Sequence, residues 1–349
     1  MRAKELKLLL KAQIGQGSNP DSELGSIFVW GPPGIGKSRI IEDTAKELGV
    51  GIIDIRLLLC DPTDLRGIPM LGKDEDGNPA AVWMPPAELP RNSKGFILLD
   101  DFPTAPPLVQ GSAYQLTIRP HRLGEYHLPE GWVIIGAGNR VTDRSLAHVM
   151  PAALANRFTT HIELEVNTDD WVEWAVTHSI RPEIIAFISK FRPEMLFRFS
   201  PEKNELSFPT PRTWEFTSRI MNTLPKEIMW EAIKDCIGEG ATIELKTYME
   251  IWTQLPDLDK ILEGENTIPE SIDLKYACCV GLVTKAKEQK HYDRLIDYSL
   301  KLEREYTVFL IRLLFQKNKE MIAASKNWSK FAKTIMAKEK LLVPELGLE

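Results

Sequence analysis

The octapeptide Gly31-Pro32-Pro33-Gly34-Ile35-Gly36-Lys37-Ser38 limits what this chain can fold into more than any other feature. It fits G-x-x-x-x-G-K-[ST] and lies between an apolar run, Ile27 to Trp30, and a helically spaced stretch, Lys37 to Leu48, that stops at Gly49. Glycines let the backbone curl until its N–H groups converge on phosphate oxygens, and the following helix adds its positive N-terminus. Gly31, Pro32, Pro33, Gly34, Ile35 and Gly36 therefore read as a phosphate cradle. Lys37 reads as the cation for the β- and γ-phosphates, and Ser38 as a hydroxyl ligand for Mg²⁺. A second apolar run, Phe96 to Leu99, ends in Asp100-Asp101. A carboxylate at a strand end supplies the other magnesium anchor, assigned to Asp100, and Asp101 is placed to orient or deprotonate a water.

Around these motifs the chain alternates strands and helices. Gly51 to Ile55, Trp132 to Ile135 and Thr160 to Leu164 are further strands, giving a parallel sheet covered by helices on both faces. Two stretches interrupt the alternation and are expected as hairpins: Leu65 to Pro90, rich in Gly and Pro, and Ile118 to Leu128, centred on Leu123-Gly124. Beyond Asn167 helical patterns take over, at Trp171 to Ser179, Pro182 to Phe191, Pro211 to Asn222, Pro225 to Cys236 and from Ser271 onward. The expected organisation is an α/β core over 1–166, a helical lid over 167–240 and a further helical region over 241–349.

The order of motifs resembles the AAA+ ATPases, in particular the MoxR-like, dynein-related branch, over roughly Phe28 to Arg219. Asp61-Pro62-Thr63-Asp64-Leu65-Arg66-Gly67 is similar to the stretch opening the helix-2 insertion of that branch, and Trp83-Met84-Pro85-Pro86 to its return arm. Pro106, Pro107 and Gln110 follow the carboxylate pair as they do there, and the Leu123-Gly124 hairpin falls where those proteins carry a pre-sensor-1 hairpin. The resemblance implies sensor 1 at Asn139, an arginine finger at Arg157 and sensor 2 at Arg212. Read alone, Asn139 is a turn residue and Arg157 a cation capping a helix end. One position departs from the family, since Asp101 stands where a Glu is usual. A side chain shorter by one methylene shifts the water it holds, and placement errors near 1 Å cost about 100-fold in rate.

The implied fold is thus an α/β P-loop NTPase core with two hairpin insertions, followed by helices. The implied function is Mg²⁺-dependent ATP hydrolysis in a hexameric ring that remodels or activates a protein client, with a von Willebrand factor A-type partner. The alternative is a nucleic-acid-associated NTPase, such as a restriction-type GTPase motor or a phage DNA-handling factor. A metal-chelatase-type subunit shares the insertion architecture. The charge balance, 43 basic against 49 acidic residues for a net −6, weighs against nucleic acid. Four cysteines without a CxxC spacing fit a reducing cytoplasm. The first residues read as lacking a signal-peptide core, and no apolar run approaches the roughly 20 residues of a membrane span. The stretch Tyr292 to Ala337, with leucines among Lys and Arg, reads either as a basic amphipathic helix for an acidic surface or as packed helix with a solvated face.

Overall fold

A computed structural model of the chain describes residues 1–15, 25–73, 76–118, 121–123, 126–143, 148–203 and 205–338. The chain forms two compact units, one of Met1–Val166 with Ser200–Asn204, the other of Asn167–Phe199 with Glu205–Glu349.

The first unit holds a five-stranded sheet of β1 (Ile27–Trp30), β2 (Gly51–Arg56), β5 (Gly95–Asp100), β8 (Trp132–Gly138) and β9 (Thr160–Glu163). Its spatial order is β2-β5-β8-β1-β9, and every pairing is parallel. Chain order and spatial order differ so that the first strand lies between the fourth and fifth, the α/β P-loop NTPase arrangement that the motifs imply. All six residues of β5 are buried, as a central strand covered on both faces requires. Side chains from β1, β5 and β8 form the core with Phe102, Val109, Leu116 and Phe158. The helices of this unit are α1 (Ala3–Gly15), α2 (Lys37–Leu48), α3 (Pro62–Arg66), α4 (Pro107–Ala113) and α5 (Ala152–Ala155).

Both insertions are present as hairpins. β3 (Ile68–Lys73) pairs antiparallel with β4 (Pro79–Met84). Before it, Asp61 and Asp64 cap α3 reciprocally, and Arg66 lies over the Trp83 ring at 5.2 Å. In the second hairpin Arg122–Leu123 (β6) pairs with Tyr126–His127 (β7), and beyond them the Leu128 N–H donates to His121 O at 2.9 Å, within the stretch expected; its Gly124 lies outside the described residues.

The second unit is helical: α6 (Thr168–Thr177), α7 (Pro182–Ala186), α8 (Pro211–Thr223), α9 (Lys226–Ile237), α10 (Glu239–Trp252), α11 (Leu258–Glu263), α12 (Ile272–Lys285), α13 (Gln289–Ser299), α14 (Arg304–Lys317), α15 (Lys319–Ala323) and α16 (Trp328–Lys338). The continuous helix expected over Pro182 to Phe191 is instead a short α-helix followed by a π-helical turn, Phe187–Phe191. That wider turn accompanies the seating of Phe187 against Trp214 and Tyr248, both with centroids 5.6 Å away. The stretch 292–337 runs through four helices. Leu295, Leu310, Leu314 and Ile322 are fully buried within them, so this is packed core and not a free amphipathic face. Among the described residues, no helix is long and apolar enough to cross a membrane.

One half-buried cation ties the end of α14 to the end of α12. The Lys317 ammonium, at the end of α14, donates to the carbonyls of Val283, Thr284 and Ala286 at 2.7, 2.8 and 2.7 Å. It supplies donors to Thr284 and Ala286 at the end of α12 and a second one to Val283, whose carbonyl also accepts from the Ala286 N–H at 3.2 Å. Burial lowers its pKa to about 8, with the charge of Lys287 adding to the effect. Lys317→Met would leave those carbonyls without this donor, at a cost of about 1–3 kcal/mol. The expected outcome is an earlier urea transition followed by far-UV circular dichroism; an unchanged midpoint would mean that water replaces the ammonium at no cost.

Candidate nucleotide-binding site

The site forms where three adjacent strands end. The N–H of Gly31 donates to the Gly138 carbonyl at 3.3 Å, so the loop after β1 departs while β1 and β8 are still in contact. Gly34 and Gly36 then adopt φ of 78° and 98°, a left-handed backbone that L side chains resist. A Cβ built on Gly36 would meet nothing within 4 Å, so open space faces the first turn of α2.

The loop curls around its own lysine. Lys37 is 9% exposed, and its ammonium donates to Gly31 O at 2.8 Å, Pro32 O at 3.1 Å and Asn139 Oδ1 at 2.8 Å. Asn139 directly follows β8, so the amide is delivered by the neighbouring strand. On the other side of β8, β5 carries Asp100 to the start of α2, where Ser38 Oγ donates to Asp100 Oδ2 at 2.6 Å. The other oxygen of Asp100 accepts from the Asp101 N–H at 2.9 Å. Asp101 itself has φ 53°, a left-handed conformation that Asp tolerates better than most residues, and its carbonyl accepts from Thr104 Oγ1 at 2.7 Å. The chain therefore turns away from the sheet immediately after the carboxylate pair. A buried ammonium, a glycine loop that opens a helix and paired hydroxyl and carboxylate oxygens can together hold a polyphosphate and a hard divalent cation.

Asp54 is a further carboxylate near the site that no motif marks. Arg56 on β2 pairs in register with Asp100, and partners across a parallel ladder face the same side. Asp54, two residues earlier, shares that face, and Arg56 Nε lies 3.5 Å from Asp54 Oδ2. Burial pushes the Asp54 carboxyl above its ordinary pKa, the charge of Asp100 adds to this, and Arg56 opposes it. An aspartate interrupting the apolar run Ile52-Ile53-Asp54-Ile55 was the available signal.

Of the two remaining candidates, one lies in the first unit and one in the second. Arg157 follows α5 and precedes β9 by three residues, and Thr160 pairs with Ile27, the first residue of β1. It therefore stands at the edge of the sheet where strands begin, while the loop opens where they end, about 13 Å away along a four-residue strand. Its guanidinium lies over the Tyr114 ring, 4.7 Å from the centroid, and its Nε donates to the Tyr114 hydroxyl at 2.8 Å. Arg212 is exposed in the first turn of α8, in the second unit, behind the capping box of Thr210 and Thr213.

No protein-family model matches the chain, and no curated protein does. Among solved structures, the Thermotoga maritima RuvB Holliday junction branch migration motor is 18% identical over 80% of each chain, with a TM-score of 0.39. NtrX from Brucella abortus is 12% identical over 95% of this chain and 67% of its own, with a TM-score of 0.37. NtrX in complex with ADP gives 13%, 97% and 68%, with a TM-score of 0.34. The fold assignment stands on the strand order and the loop contacts, without these likenesses.

The raised pKa of Asp54 has a sign that can be tested. Its ionised form is disfavoured in the fold, so the penalty is absent below about pH 4 and develops as pH rises through the folded-state value. Asp54→Asn removes it. The melting temperature of nucleotide- and magnesium-free protein should rise by about 2 °C at pH 8 and be unchanged near pH 4. A lower melting temperature at pH 8 would mean that the Arg56 pairing outweighs the repulsion.

Proposed function

We propose that this chain is an ATP-hydrolysing AAA+ protein of the MoxR-like branch, working in a hexameric ring to remodel or activate a protein client. The observation that carries the nucleotide reading is the double junction at the strand ends: Lys37 bonded to Asn139, and Ser38 bonded to Asp100. These residues fit ATP with magnesium. Gly31 to Gly36 would cradle the phosphates, Lys37 would pair with their charge, and Ser38 and Asp100 would hold the metal through hard oxygens. Bound magnesium would neutralise charge on the phosphoryl oxygens.

The chain's own groups then divide the remaining work. Asn139, one bond from Lys37, is placed to contact the terminal phosphate and the attacking water through its amide. Asp101 is the carboxylate that orients that water or takes its proton. Its left-handed backbone and short side chain favour slow turnover relative to proteins with a glutamate there.

Arg157 supports a shared site, because it stands at the edge of the sheet remote from its own phosphate loop. An arginine there completes a neighbour's site and not its own, which is the logic of a finger supplied in trans. Arg212 has a related oddity. A cation in the first turn of a helix opposes the macrodipole, and among the described residues it forms no ion pair. Both facts suit a residue kept for phosphate, the sensor-2 role in a lid over 167–240. The von Willebrand factor A-type partner follows from the family resemblance.

Mixing wild-type protein with Arg157→Ala subunits tests the shared site. In a ring whose centres fire in turn, one missing finger also stalls its neighbours, so hydrolysis should fall more steeply than dilution predicts, with a particle mass above the monomer in ATP and with Lys37→Ala as the binding-null control. Strictly proportional loss with a monomeric mass in every nucleotide would remove the ring reading. Asp101→Asn should lower turnover by about 100-fold or more at unchanged ATP affinity; an unchanged rate would strip Asp101 of its role.

A further inference from the structure

We propose that Tyr114 is the positioning residue for Arg157, holding the guanidinium ready for a neighbouring subunit's nucleotide; the inference rests on the reading of Arg157 as a finger. Two contacts fix the arginine from different directions. The Tyr114 ring lies under the guanidinium at 4.7 Å, and the Tyr114 hydroxyl accepts from Nε at 2.8 Å. A face contact sets the plane of the guanidinium, and a bond to Nε sets its rotation within that plane.

The choice of nitrogen matters. Nε is the donor on the inner side of the fork, and the two terminal amino groups are the ones that reach phosphate oxygens bidentately. Among the described residues those terminal groups form no hydrogen bond with a protein partner. Tyr114 thus orders the side chain without occupying the atoms that would meet the phosphate. A structural arginine at this helix end would turn its terminal groups to the carbonyls of Ala152 to Ala155 instead.

Tyr114 is itself firmly placed. It caps α4, its N–H donates to Gln110 O at 3.1 Å, and its carbonyl accepts from Thr117 Oγ1 at 2.9 Å. Its ring packs on the central hydrophobic cluster that also contains Val109, Ala113 and Phe158. Phe158 directly follows Arg157, so the backbone bearing the arginine and the ring that holds it share one core. α4 in turn begins six residues after Asp101. The same helix that leaves one subunit's carboxylate pair therefore ends on the residue that aims the arginine at the next subunit.

The test uses full-length protein, steady-state ATP hydrolysis, binding of a fluorescent ATP analogue and particle mass. Tyr114→Phe keeps the face and loses the bond; kcat should fall about 3- to 10-fold with KM, analogue affinity, melting temperature and mass unchanged. Tyr114→Leu loses both contacts and should approach the Arg157→Ala rate. In an Arg157→Ala background, Tyr114→Phe should have no further effect, because the group it positions is gone. If Arg157→Ala abolishes turnover while Tyr114→Phe and Tyr114→Leu keep the wild-type kcat, or if the Phe effect persists in the Arg157→Ala background, the inference is overturned and the finger stands. If Arg157→Ala is itself without effect, the finger reading falls and this inference with it. Should Tyr114→Leu fold poorly, the Tyr114→Phe cycle decides alone.

Discussion

An ammonium group buried in a protein has to find oxygen partners, and Lys37 finds them just past the ends of two neighbouring strands, β1 and β8. Two are carbonyls of its own loop and the third is the Asn139 amide, 102 residues further along the chain. The pairing of Ser38 with Asp100 spans 62 residues in the same manner. Neither contact can form unless β8 and β5 lie beside β1 in that order, so the sheet topology is a precondition of the chemistry. The reverse also holds, because removing one acceptor would leave a charge in a nearly closed site. An entering phosphate would replace the loop carbonyls as the partner of this charge, so the preformed loop exchanges acceptors instead of exposing a bare cation.

Much of this was legible in the sequence because the signals are local. The curled loop needs glycines at Gly34 and Gly36, the helix after it needs an amphipathic run, and β5 needs continuous apolar residues up to its carboxylates. Each is encoded within 12 residues. The helix expected over Pro211 to Asn222 is equally local, and it lies at Pro211–Thr223. What escaped notice depends on register. Nothing in the string Ile52 to Arg56 says that Arg56 faces Asp100; the pairing of β2 with β5 decides it. Tyr114 carries no local signal for the same reason, since its partner Arg157 lies 43 residues away and the fold alone brings the two together.

The helical region was legible in a different sense. Its apolar residues are numerous enough to predict burial, yet their periodicity does not say how many helices they make. The stretch 292–337 shows this, where breaks at Leu300 to Glu303, at Asn318 and around Ser325 divide what a charge pattern alone joins. Phe187 to Phe191 widens into a π-turn around an aromatic contact that no local preference encodes. Tertiary packing there overrides propensity, as it does wherever a large ring has to reach a particular gap.

The separation of Arg157 from the phosphate loop has an arithmetic consequence for any head-to-tail assembly. Each junction between two copies would create one complete catalytic centre, and every unjoined end would waste one half of a centre. An open arc of n copies holds n − 1 centres, and only closure of the circle makes their number equal to the number of chains. Specific activity per chain would then rise with concentration and level off at closure, so the fold itself would link turnover to the geometry of assembly.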